Sequence, residues 1–219
     1  ANTIRDMVEK PGASATELFT EALKQKAGKY KEHVLQFAGL SQNIPEQDID
    51  EYDSVNIQTA KQRGLMSINI SVSDAVLAEK SEKLKQIIET AHKEGLKVVF
   101  VYKYNLYIVN NDNFLRETIN IAKTFEEYKI DGINLDLSES GDMIGAMDTL
   151  VALGLLQKRI KNLAVKMPQT TILENEWKGF FRERGIKCIA DYRNIKNIRD
   201  KRNIIVDVTI DKQSNSIFD

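Results

Sequence analysis

Apolar positions along the chain follow two alternating periods. Stretches in which every second residue is apolar predict strands, and stretches with apolar residues three and four apart predict helices. Leu65 to Val72 and Lys97 to Tyr102 have the first pattern. Leu77, Leu84, Ile87, Ile88 and Ala91 have the second, after a cap at Ser73 or Asp74 and before a stop at Gly95. Asn111-Asp112-Asn113 caps another helix, with Phe114, Thr118, Ile121, Ala122 and Phe125 on one side. Met143 to Arg159 and Trp177 to Arg184 read as helices. Asn162 to Met167, ended by Pro168, reads as a strand, as do Ile186 to Ala190 and Ile204 to Ile210. At the start, residues 1–13 form a polar lead-in closing on Pro11-Gly12, and Ser14-Ala15-Thr16-Glu17 is a capping box opening a helix to Lys26. His33 to Phe37 is the first strand, and the polar stretch Ala38 to Tyr52, with Pro45, reads as a long loop.

Strands alternating with helices of ten or more residues imply right-handed crossovers and a parallel sheet, so the class is α/β. Intervals of about thirty residues, and no Gly-x-Gly-x-x-Gly loop after any strand, favour a (β/α)8 TIM-barrel-like plan over a doubly wound sheet. The pattern yields seven strands, and the last interval is too short for a covering helix, so the barrel is expected to be incomplete or irregular. The expected organisation is a helical lead-in over 1–30 and a barrel-like α/β domain over 31–219.

One strand breaks the apolar rule. In Ile130-Asp131-Gly132-Ile133-Asn134-Leu135-Asp136-Leu137-Ser138-Glu139, alternation puts Asn134, Asp136 and Ser138 on one face and Ile133, Leu135 and Leu137 on the other. Polar groups facing the interior of a helix-covered sheet cost free energy unless they are satisfied or used. The row is therefore the candidate site, and the alternative is a structural carboxylate at Asp136 held in a hydrogen-bonded network.

Composition narrows the chemistry. The 219 residues carry a formal net charge of −1, which gives no reason to expect a nucleic-acid partner. The single cysteine, Cys188, allows neither an internal disulfide nor a cysteine zinc cage, and two histidines, His33 and His92, make no metal cluster or evident catalytic triad. No metal or cofactor is expected. No apolar run reaches the roughly 20 residues a membrane helix needs. The chain begins at Ala1, consistent with a processed or trimmed product, and a secreted or cell-surface location is favoured over a cytoplasmic one. Asn69-Ile70-Ser71 fits a glycosylation acceptor but falls in an expected buried strand, so it is read as chance.

Asp131-Gly132-Ile133-Asn134-Leu135-Asp136-Leu137-Ser138 resembles the Asp-Gly-x-Asp-x-Asp-x-Glu signature on the fourth strand of glycoside hydrolase family 18, the chitinases and endo-β-N-acetylglucosaminidases. The run from Asn113-Phe114-Leu115-Arg116 to Tyr128, the strand Leu163 to Pro168, and Ile189-Ala190-Asp191-Tyr192 are similar to neighbouring parts of that family. The resemblance spans about residues 95 to 193. It implies a barrel whose cleft takes an N-acetylglucosamine-containing glycan, with Asp136 as the central carboxylate. Asn134, Ser138, Asp191, Tyr192 and Tyr102 would surround that carbohydrate. The sequence departs from the family where it matters most, because Ser138 occupies the position of the general-acid glutamate and Asn134 replaces an aspartate. A serine hydroxyl has no pKa near neutrality and cannot act as that acid. Glu139 is one residue late and faces the wrong way unless a bend re-aims it. The expectation is a non-hydrolytic barrel that binds carbohydrate or serves as a structural module.

Two alternatives remain. An active glycosidase would use Glu139. Val165-Lys166-Met167-Pro168-Gln169-Thr170 is also similar to the Schiff-base segment of transaldolases and small aldolases, which would make Lys166 a nucleophile with Asp136 or Asp191 moving protons. As a structural module, the chain would bind a protein partner or belong to a larger parent chain. The basic run Lys196 to Arg202 fits a solvated face as well as it fits a binding patch.

Overall fold

The computed structural model describes residues 31–37, 39–106, 111–141, 147–168, 179–191 and 204–207. The expected N-terminal helix Ser14 to Lys26, and with it the 1–30 lead-in, lies outside the described residues. The chain is α/β, and it divides into two compact units, the first running to Val99 and resuming at Val206, the second covering Phe100–Ile205.

In the first unit, β1 (Lys31–Gln36) pairs antiparallel with β2 (Gly39–Ile44), and β2 pairs parallel with β3 (Ser67–Ser71). A 3-10 turn (Glu46–Glu51) and α1 (Ser54–Gln62) connect β2 to β3. α2 (Asp74–Glu79) and α3 (Ser81–Lys93) then lead to β4, Lys97–Lys103, which begins in this unit. The Lys97 amide donates to the Met66 carbonyl at 3.0 Å, which places β4 beside β3. Leu84, Ile87, Ile88 and Ala91 are the buried face of α3, as their spacing requires. The expected helix after Ser73 is interrupted at Lys80, giving α2 and α3 instead of one element.

The stretch Ala38 to Tyr52, expected as a loop, contains β2 and the 3-10 turn, so the described residues form eight strands where the apolar pattern predicts seven. Its buried polar residues, Ser41 and Gln42, are partnered rather than solvated. The Ser41 and Ser67 hydroxyls bond to each other across the β2–β3 register, and the Tyr52 hydroxyl donates to Gln42 Oε1 at 2.6 Å. α1, also missed, has a weak apolar stripe, but Asp53 caps it by accepting from the Val55 and Asn56 amides, and Asn56 Oδ1 accepts from the Asp53 amide in return. Asn69 is fully buried in β3, which agrees with reading its acceptor pattern as chance.

In the second unit the strands follow in chain order: β4, β5 (Gly132–Asp136), β6 (Leu163–Lys166), β7 (Lys187–Asp191) and β8, of which Ile204–Asp207 is described. β5, β6 and β7 pair in parallel. α4 (Asn111–Tyr128) precedes β5 and α5 (Met147–Arg159) precedes β6, while residues 179–183 are helical before β7. Among the described residues neither unit reverses its strand order, which is the feature that gives a doubly wound sheet its switch point.

At the start of β2 a Cβ on Gly39 would lie 2.1 Å from Met66 Cγ. That carbon is close to the backbone and cannot swing away freely. Gly39→Ala is therefore expected to lower unfolding stability by about 1–3 kcal/mol through overpacking. Urea denaturation measures this, and an unchanged midpoint would show that β2 is not seated against Met66 as described.

Candidate functional site

β5 positions the candidate site by burying its other face. Ile133, Leu135 and Leu137 are completely inaccessible, so the opposite parity carries buried Asn134 and half-buried Asp136. In the parallel register Asn134 stands opposite Ala164 and Asp136 opposite Lys166. The Tyr104 amide donates to the Asp136 carbonyl at 3.0 Å and brings the end of β4, including Lys103, level with the end of β5. Three charged residues from β4, β5 and β6 thus end their strands side by side, as cation, anion and cation.

The strand stops at Asp136 and the chain turns. The Leu137 amide still donates to the Lys166 carbonyl at 2.9 Å, and the Ser140 amide donates to the Leu137 carbonyl at 2.9 Å, closing a turn with Ser138 and Glu139 at its centre. Asp136 Oδ1 accepts from both the Ser138 amide (3.0 Å) and the Ser138 hydroxyl (2.5 Å). An aspartate bonding the backbone two residues ahead is a turn former in its own right, so Asp136 makes the bend that follows it. Ser140, fully buried, fastens the turn: its hydroxyl accepts from the Leu106 amide at 3.1 Å and donates to the Tyr104 carbonyl at 3.2 Å.

The bend also redirects Glu139. Its carboxylate oxygen lies 2.9 Å from Lys103 Nζ, with both side chains more than half exposed. The Glu139 hydrogen bond is the main cause that holds the Lys103 ammonium above its usual range. Partial desolvation opposes it, and the charges of Glu139 and then Asp136 add to it. An exposed pair of this kind contributes little to stability, so what it determines is where Glu139 sits.

The expected site residues separate into groups. Asn134, Asp136, Ser138, Glu139 and Lys166 come together at the ends of β5 and β6. Tyr102 does not join them. It is buried with the parity of Phe100, whose ring meets Tyr128 of α4 at 5.5 Å, and it stacks on Tyr104, whose ring meets Phe114 of α4 at 5.7 Å. The backbone of Asp191 closes β7, next to β6. Tyr192 and the Lys196 to Arg202 run lie outside the described residues.

Lys103 and Ser140 were not singled out from the sequence. A lysine closing an apolar strand, Val98 to Lys103, was a usable signal for the first, whereas the role of Ser140 depends on contacts more than thirty positions away. Among the described residues no group of three or more His, Cys, Asp or Glu could hold a metal ion, and no helix is long and apolar enough to cross a membrane.

Because the folded-state pKa of Lys103 is raised, the pair's contribution is present below the ordinary lysine pKa and is lost as pH rises through the raised value. NMR titration of Lys103 Nζ should show this raised pKa, and Glu139→Gln should bring it down further than Asp136→Asn does. An equal or larger effect of Asp136→Asn would show that Glu139 is not the partner described. In comparisons with known proteins, no family model, no curated protein and no solved structure matches the chain.

Proposed function

We propose that the second unit binds carbohydrate at its strand ends without hydrolysing it, within an incomplete (β/α)8-type barrel. Sequential strand order with helical crossovers supports the barrel plan. The observation that carries the functional reading is the double hydrogen bond from Ser138 to Asp136 Oδ1. In the resemblance to family 18, this position would present a carboxylic acid to the leaving glycosidic oxygen. Here it presents a hydroxyl already donated to the neighbouring carboxylate.

Hydrolysis would require a proton donor that titrates near the working pH, and Glu139, the next carboxylate along the chain, is engaged by Lys103. Binding requires less. Lys103 and Lys166 supply donors, Asp136 supplies acceptors, and Asn134 supplies both, which is the mixed lining that sugar hydroxyl and acetamido groups need. The opposition of Asp136 and Lys166 in register favours one second reading, a Schiff-base lysine beside a carboxylate. Borohydride reduction with a ketose or aldose would then leave a mass increase on Lys166, and its absence counts against that chemistry.

Calorimetric titration with chitooligosaccharides and N-glycan cores, with the same mixtures analysed for cleavage, tests the proposal. The expected result is binding without products, weakened about tenfold by Asp136→Asn, equivalent to about 1.4 kcal/mol. Cleavage abolished by Glu139→Gln would replace the proposal with a hydrolase. Absence of binding would leave the structural module.

A further inference from the structure

The second unit has an apolar surface that its own described residues leave uncovered. On α5, Val151 is 50% and Leu155 51% exposed, one helical turn apart. They form part of a groove of about 520 Å³ between α5 and the helical segment 179–183, where Leu150, Gly154 and Phe180 supply further apolar surface and Gln157, Lys158 and Arg184 complete the lining. Isolated exposed aliphatics are ordinary, but a contiguous groove of them marks an interaction surface.

Two observations indicate what the groove accepts. The first is charge. Both ionisable residues in the lining are cations, and among the described residues no carboxylate pairs with either, whereas Arg159 just outside the lining is bonded to Glu126 at 2.7 Å. The Arg184 guanidinium carbon lies over the Phe180 ring, 3.8 Å from its centre, which keeps the charge at the groove wall. The second is Gly154. A glycine inside a helix weakens it relative to alanine. Here the chain itself does not require one, because a Cβ would meet only Arg184 Nε and Cδ at 3.7 and 3.9 Å, ordinary contact distances. The missing side chain leaves the groove floor low on α5 between Val151 and Leu155, with the Arg184 side chain beside it.

We propose that this groove docks an acidic amphipathic helix of a partner protein. Its apolar stripe would lie along Leu150, Val151, Leu155 and Phe180, cross α5 at Gly154, and set its carboxylates against Lys158 and Arg184. Helix-in-groove recognition uses apolar anchors three, four and seven residues apart on the docked helix, and these would pack along Val151 and Leu155. The cationic rim selects against basic or neutral helices. The site is made of helices and is independent of the strand-end carbohydrate reading.

The test uses the full chain and two fluorescein-labelled amphipathic peptides, one with leucine and glutamate in heptads and one with lysine replacing glutamate, followed by anisotropy. The glutamate peptide should bind and the lysine peptide should not, with affinity falling as salt rises. Lys158→Glu alone should weaken binding several-fold, and combined with Arg184→Glu should reverse the preference. Leu155→Asp should weaken it at least tenfold. Gly154→Ala should raise Tm while weakening the peptide, a pairing that a merely structural glycine would not give. Equal binding of both peptides, or no binding, overturns the proposal. So does sedimentation showing that the wild type self-associates and that Leu155→Asp abolishes this, which would make the occupant a second copy of the chain.

Discussion

A strand buried on one face by Ile133, Leu135 and Leu137 fixes the facing of every residue between them, and β5 has to accommodate a carboxylate on the remaining side. The position of Asp136 is therefore not adjustable. It lies at the last residue of the strand, in register with Lys166, where the chain can turn and bring the Ser138 amide and hydroxyl to one of its oxygens. The turn redirects Glu139 to Lys103, and buried Ser140 ties the turn to the chain leaving β4. Each contact at the strand ends thus follows from placing one charge at the edge of an apolar strand.

The same constraint is met differently in the first unit. β2 is polar in sequence yet almost wholly buried, and its Ser41 and Gln42 side chains are satisfied by Ser67 across the register and by Tyr52 from the segment that follows. Neutral hydroxyl and amide groups can be paired inside a sheet, whereas a carboxylate also needs proximity to cations or water. Lys103, Asp136 and Lys166 accordingly lie at strand ends, whereas the Ser41–Ser67 pair lies within the sheet.

The elements that could be read from sequence are those whose apolar period is strong. α3, α4, β3, β4 and β5 lie where Leu84 to Ala91, Phe114 to Ala122 and the alternating stretches predict them. β2 could not be read, because Ser41-Gln42-Asn43 looks like solvated loop until Ser67 and Tyr52 are placed beside it. α1 could not be read from its weak stripe, although Asp53 and Asn56 carried a cap signal. At the site, alternation correctly put Asn134 and Asp136 on one face. It could not show that β5 ends at Asp136, that Ser138 bonds back to it, or that Tyr102 stacks toward Tyr104 and α4, because these depend on a turn and on residues distant in sequence.

The proposed ligand site is the end of β5, where Asp136 is held by Ser138 between the strand ends that carry Lys103 and Lys166. Backbone and side-chain chemical-shift mapping during a chitooligosaccharide titration tests this most directly. Binding at this site gives saturable shifts concentrated at Asn134 to Glu139, Lys103 and Lys166, with the covalent structure of the ligand unchanged. Shifts confined to other residues, or new reducing-end signals from the ligand, would contradict it.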